Sequence, residues 1–202
     1  MSSFVIAVCC VIHLTTQVLA YGEIPMENMS HLLQEHRIIP ECIPYAPSQF
    51  LKIKYIHTPV ELGMQFDTET IMYQPTYLKW EADEDAFYTL ILTGLDVPTQ
   101  SNSSQSEYNH WIKVNIPGNA WFAGDTLAEY VGSGLQYSSG PHRLVYLVYK
   151  QPEAHKILFD EEILKRESRP LLRCYFGAQR FSAKYSMGPP IAANFITIDE
   201  RH

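Results

Sequence analysis

A chain of 202 residues with 46% hydrophobic and 18% charged residues is long enough to bury an ordinary core and too apolar for a disordered segment. Its formal charge of −7 excludes a general nucleic-acid surface, which needs clustered Lys and Arg to meet phosphates. No internal repeat is visible, which excludes a solenoid.

Residues 4–19 form an apolar run without a charged side chain, ending in Val18-Leu19-Ala20. Small residues at Val18 and Ala20 suit a signal peptidase, so residues 1–20 read as a secretory signal and 21–202 as one secreted domain. A membrane anchor is the competing reading, but His13, Thr15, Thr16 and Gln17 interrupt the run, and no later stretch is apolar enough to span. Two N-glycosylation acceptors, Asn28 and Asn102, agree with export. Loss of the signal removes Cys9 and Cys10 and leaves Cys42 and Cys174. In an oxidising compartment these two could bridge, a loop closure of about 4–5 kcal/mol in the entropic account. The alternative is two buried thiols that never meet.

Residues 23–37 predict a short helix, with Met26, Met29, Leu32 and Leu33 on one side, before Pro40, Pro44 and Pro47 break regular structure. Residues 51–55 alternate apolar and basic side chains as a half-buried strand does, and 61–66 and 70–80 continue in β-like fashion. The Trp80 ring reads as core. Residues 87–93 and 111–116 are the clearest strands, separated by a polar loop that carries Pro98 and a Ser-rich run. Residues 125–131 predict a helix from the capping-box spacing of Thr126 and Glu129, with Gly132 as its left-handed end. Residues 143–149 predict a buried strand. Residues 153–167 predict a helix with Ile157, Leu158, Ile163 and Leu164 as its stripe and Glu161–Lys165 and Glu162–Arg166 as its pairs. Residues 171–185 extend helically, with Phe176, Phe181 and Tyr185 as packing groups, and 194–198 close as a strand. The expected class is α+β, mainly β.

Chemistry-bearing residues gather at strand ends. Asp96 and His110 lie at the inner ends of the two clearest strands, and His142 begins the next apolar run. Two imidazoles and a carboxylate could bind an anion through imidazole N–H groups, form a facial-triad metal site, or act as general acid and base. The plainer alternative has Asp96 capping a turn before Pro98 and each histidine ending a strand at the surface. Nucleophilic catalysis has no motif: Gly-x-Ser-x-Gly, HExxH, P-loop and dinucleotide fingerprints are all missing. A non-enzyme without cofactor or metal is expected.

Five ordered blocks, TLILTGLDVPTQ, EYNHWIKVNIPGN, LAEYVGSG, GPHRLVYLVYKQ and KYSMGPPIAANF, resemble the phosphatidylethanolamine-binding (Raf-kinase-inhibitor-protein) family from about residue 27 through Ile198. The resemblance implies a central antiparallel sheet, a smaller second sheet and peripheral helices. It also implies a pocket for phospholipid head groups or related small anions, on Asp96, Pro98, His110, Gly134 and His142. Glu107 matches a family acid, and a cis Val97–Pro98 peptide is in keeping with the family. The chain departs from the pattern at Gly94, where an acid is expected, and at Leu135, Gln136 and Leu144. A pocket tyrosine falls on Ile196, or on Phe195 in a shifted alignment. Loss of the acid at Gly94 should leave the pocket less negative and wider. Relatives also suggest an extracellular protein partner such as a serine protease, or a signalling role. The greasier rim at Leu135, Leu144 and Ile196 suggests a carrier of small hydrophobic ligands.

Overall fold

The computed structural model describes residues 26–132 and 140–198. The proposed signal, Ser133, Gly134, Leu135 and Gln136 lie outside the described residues. In chain order the elements begin with α1 (Met26–Glu35), the short α2 (Ile38–Glu41), β1 (Gln49–Phe50), β2 (Lys52–Tyr55) and β3 (Thr58–Pro59). Then come β4 (Met64–Phe66), β5 (Tyr77–Lys79), β6 (Phe87–Gly94), β7 (Tyr108–Pro117) and β8 (Asp125–Ala128). The last are β9 (His142–Lys150), α3 (Ala178–Lys184) and β10 (Ala192–Ile198), with 3-10 turns at Trp121–Ala123 and Pro170–Arg173.

The β-branched and aromatic content of β6, β7, β9 and β10 makes them the long strands of a seven-stranded sheet, ordered β1-β10-β9-β6-β7-β8. The sheet is antiparallel from β10 through β8, but β1 and β4 run parallel to β10 and divide one of its edges between them. The expected central antiparallel sheet is present, and the two short strands at its edge make the whole sheet mixed. The smaller second sheet, β3-β2-β5, is antiparallel.

Alternation along the strands builds a core on each face. Ile91, Val145, Leu147 and Phe195 pack with Met29 and Leu33 of α1 and Phe181 of α3. Leu90, Leu92, Leu144, Tyr146 and Ile196 pack on the other face with Ile53 and Leu78 of the small sheet, and with Trp80. Trp80 is core, as expected, at 2% exposure.

Three expected helices are absent or shortened. Residues 125–131 open with β8, paired to β7, because their backbone groups go to long-range partners. Leu164 N–H donates to Leu127 O, and Glu129 N–H donates to Leu164 O. Glu129 does not cap a helix; it accepts from Lys165 and from the amide of Arg166. Gly132 is needed for close approach, since a Cβ there would sit 2.2 Å from Ile71 O.

Residues 153–167 form an extended strap rather than a helix. Leu164 is buried in the core but Leu158 is 98% and Ile163 57% exposed, so the four residues do not form one buried helical face. Lys165 pairs with Glu129, and Glu161 with Lys184, in place of the pairs within the segment. Tertiary partners outweigh the modest helical preference of the run. Residues 171–185 break at Gly177, whose φ of 76° lies in the left-handed region, leaving a 3-10 turn and then α3. Phe176, Phe181 and Tyr185 do pack together, joined by ring contacts of 5.6 and 5.0 Å.

Candidate functional site

The ends of β6, β7 and β9 meet at one end of the main sheet, where Gly94 pairs with Tyr108 on one side and Leu144 on the other. The β6–β7 register slips between Leu92–Trp111 and Thr93–Asn109, which makes His110 the extra residue of a β-bulge. A bulge re-aims side chains. Here it lays the His110 imidazole over Gly94, so that a Cβ on Gly94 would stand 2.8 Å from Nε2. The same Cβ would stand 3.2 Å from Leu144 Cδ2. The expected widening is thus corrected: the space beside Gly94 is filled by an imidazole and a leucine.

His110 is wholly buried, and its Nδ1 lies 2.9 Å from Val131 O. A carbonyl can only accept, so Nδ1 carries the proton and Nε2 is a lone-pair acceptor. Burial pushes the His110 pKa down to about 4, against the help of Val131 O, and the nearby Arg173 and His142 add to the depression. The ring is therefore neutral at pH 7. His142 starts β9 at 5% exposure, and alternation places it on the face of Leu144 and Tyr146. Among the described residues neither of its ring nitrogens has a hydrogen-bond partner, and neither does His110 Nε2.

Asp96 does not join them. Its carboxylate accepts from Arg143 N–H at 2.7 Å, Nε at 2.9 Å and a terminal nitrogen at 2.5 Å. Arg143 also donates to His36 O and pairs with Glu41, which turns it toward the helical side of the sheet. The metal-triad and acid–base readings required a carboxylate beside the imidazoles, and both Asp96 oxygens are engaged elsewhere. Val97–Pro98 is cis and Pro98 is half-buried, as the loop motif implied. Gly134 lies outside the described residues.

The other expected positions are placed as follows. Glu107 accepts from Ala178 N–H at 3.1 Å and lies 3.9 Å from Cys42 Sγ, tying the loop to α3. Burial raises its carboxyl pKa. Ile196 pairs with Leu144 and shares its core, whereas Phe195 packs on the opposite face against His36 at 4.8 Å. Ile196 therefore holds the place on the histidine side. Cys42 and Cys174 are free thiols, so the bridge that an oxidising compartment would permit is not formed. Cys42 is buried against Glu107, while Cys174 faces Gln105 and Pro170 O, so each sulfur is held by a different neighbour. Asn28 and Asn102 are both exposed.

Two contributors were not legible in the sequence. Arg173, 1% exposed, holds Asn109 O and Lys165 O, and its charge bears on His110. Val131 sets the His110 tautomer through a backbone carbonyl, which no residue type announces. Among the described residues no group of three or more His, Cys, Asp and Glu could hold a metal ion, and no helix is long and apolar enough to cross a membrane.

Known proteins resemble this chain in sequence and in fold. Over 169 residues, 83% of this chain and 79% of the relative, the sequence is 33% identical to a putative odorant-binding protein A5 of Drosophila melanogaster. It is 34% identical to a 26 kDa secreted antigen of Toxocara canis over 78% of this chain, spanning 59% of that protein's length. The fold matches the carboxypeptidase Y inhibitor, solved with its cognate proteinase, at a TM-score of 0.71 and 22% identity over 86% of this chain and 96% of that one. Residues 56–173, which carry Asp96, His110 and His142, match the phosphatidylethanolamine-binding protein family, and to that family this chain belongs.

Proposed function

We propose that the chain is a secreted, non-enzymatic binding protein whose ligand seats a small polar head group on His110 and His142. The observation that carries this is the set of three buried imidazole nitrogens without a partner among the described residues. Buried polar atoms are nearly always satisfied, and each orphan costs about 1–3 kcal/mol. A bound head group would satisfy them. A phospholipid head group or related small anion suits both the family and two buried imidazoles beside the apolar pair Leu144 and Ile196.

The tautomer sharpens the ligand. His110 has its one N–H on Val131 O, so it accepts from the ligand, and His142 is left to donate. Both imidazoles donating, as the sequence suggested, does not fit a neutral His110. A phosphoryl monoanion fits, offering P–OH to His110 Nε2 and P–O⁻ to His142. Secretion is supported by the signal-like residues 1–20, by exposed acceptors Asn28 and Asn102, and by kinship with a secreted antigen.

Calorimetry of the mature protein (residues 21–202) with phosphorylethanolamine tests the reading. The second ionisation of phosphomonoesters falls near pH 6, so binding of the monoanion should be about twentyfold tighter at pH 5.5 than at pH 7.5. His142→Ala should weaken it by roughly 1–3 kcal/mol. No heat at either pH overturns the proposal.

A further inference from the structure

On the same face of the main sheet, farther along β7, a separate concavity of about 540 Å³ opens beside β8. It shares no lining residue with the histidine site. Its volume lies in the range of small-molecule pockets, roughly 300–1,000 Å³.

Its construction starts from the alternation of β7. Trp111 and Lys113 are two apart, so both project to this face. Trp111 and Tyr130, both nearly buried, meet edge to face at 5.6 Å and make an aromatic floor. Trp121 meets Trp111 at 5.7 Å and continues the wall. Phe122 and Tyr73 stand at the rim with 74% and 67% of their surface exposed. Exposed aromatic rings around a concavity signal an unfilled contact surface.

The electrostatics select the ligand. Lys113 is only 9% exposed, and its Nζ has Thr126 Oγ1 at 3.2 Å as its hydrogen-bond partner among the described residues. Among the described residues no carboxylate forms an ion pair with it, although the charge of Asp125 bears on it from farther off. Asp125 is taken by Lys156 and Asn115. Arg166 and Glu129 both line the cup, the Glu129 carboxylate being held by Lys165 and the Arg166 amide. With Asp125 already paired to Lys156, this largely buried ammonium is under-compensated, and a ligand anion would relieve it. Aromatic walls disfavour a strongly hydrated dianion and favour an apolar body.

We infer that this groove is a second binding site, for a small apolar carboxylic acid. Its ring or acyl chain lies against Trp111, Trp121 and Tyr130, and its carboxylate meets Lys113, with Arg166 beside it. This site is independent of the head-group reading above.

The experiment titrates mature protein with naphthoate, naphthoate methyl ester and naphthylmethylamine, read by tryptophan fluorescence and calorimetry. Saturable naphthoate binding, about tenfold tighter than the ester and tighter still than the amine, is expected for one charge-assisted hydrogen bond. Equal affinity for acid and ester, or no saturation, overturns the site. Lys113→Met should keep ester binding and lose the preference for the acid; a retained preference overturns it. Should that variant not fold, Phe122→Ala at the exposed rim should weaken acid and ester together, and unchanged affinity for both counts against the site. His142→Ala should leave naphthoate binding unchanged. A loss there would place the acid on the histidines and refute the assignment.

Discussion

Gly94 and His110 compete for one space: a Cβ on Gly94 would stand 2.8 Å from His110 Nε2 and 3.2 Å from its Cδ2. In this chain the ring of His110 occupies the space beside Gly94, so a side chain added at position 94 must displace it.

Restoring an acid with Gly94→Asp should destabilise the protein by about 1–3 kcal/mol, the usual cost of overpacking a well-filled site. Adding His110→Ala should recover most of that loss, because it removes the ring that the new Cβ meets. Urea midpoints of the two variants decide the matter. A Gly94→Asp protein as stable as the parent would show that the imidazole is free to move aside.

Asp96 is a structural group before it is a binding group. Asp96→Ala would leave the Arg143 guanidinium, 6% exposed at its side chain, without its main counter-charge. The loss should be about 3–5 kcal/mol of stability, as for one partner of a buried pair. Affinity for phosphorylethanolamine per folded molecule should change little at a temperature where the variant is folded. A stable variant with lost binding would reverse the assignment.

The long strands were readable because Val, Ile, Tyr and Trp cluster in them, as in RLVYLVY of β9. The histidines were readable as strand-end residues, and they do share a face. The fate of Asp96 was hidden by adjacency: His142 and Arg143 are neighbours in sequence, yet alternation sends them to opposite sides. Residues 125–131 and 153–167 misled because capping-box and i,i+4 spacings are local signals. The bonds between Leu127, Glu129 and Leu164 join segments far apart in sequence, and these decide the outcome. A β-bulge such as that at His110 leaves no mark on residue type.

The start of the strap, at Ile157, is held by Asn115. Asn115 sits at φ 53° and donates to Asp125 and Ile157 O. Its Oδ1 accepts from Gln151 and from the Ile157 amide. Asn115→Ala should cost about 2–3 kcal/mol through buried groups left unpaired. It should also speed tryptic cleavage at Lys156, seen by mass spectrometry of limited digests. Unaltered cleavage would mean that the strap is held from elsewhere.

The thiols should differ in reactivity. Cys42 is fully buried, and burial with the adjacent Glu107 raises its pKa well above the ordinary thiol value. Cys174 is half-buried, and partial burial alone raises its pKa. Native mature protein should alkylate at Cys174 first, and Cys42 should react only on unfolding. Resistance of both to alkylation until a reductant is added would indicate a bridge.

His110 should give the protein an acid-sensitive limb. Its folded pKa is about 4, against about 6.5 in an unfolded chain. Between these values the unfolded state binds the proton and the folded state does not, so acidification favours unfolding. The neutral, buried ring thus contributes stability that is fully present above pH 6.5 and is lost as pH falls toward 4. From this group alone the loss at pH 4 should be about 3 kcal/mol. His110→Gln cannot titrate and should flatten the limb while lowering stability at pH 7 by a smaller amount. Denaturant unfolding of both proteins from pH 7 to pH 4 gives the comparison. Parallel curves would mean that His110 is already charged in the folded state, and the acceptor role of Nε2 would fall with it.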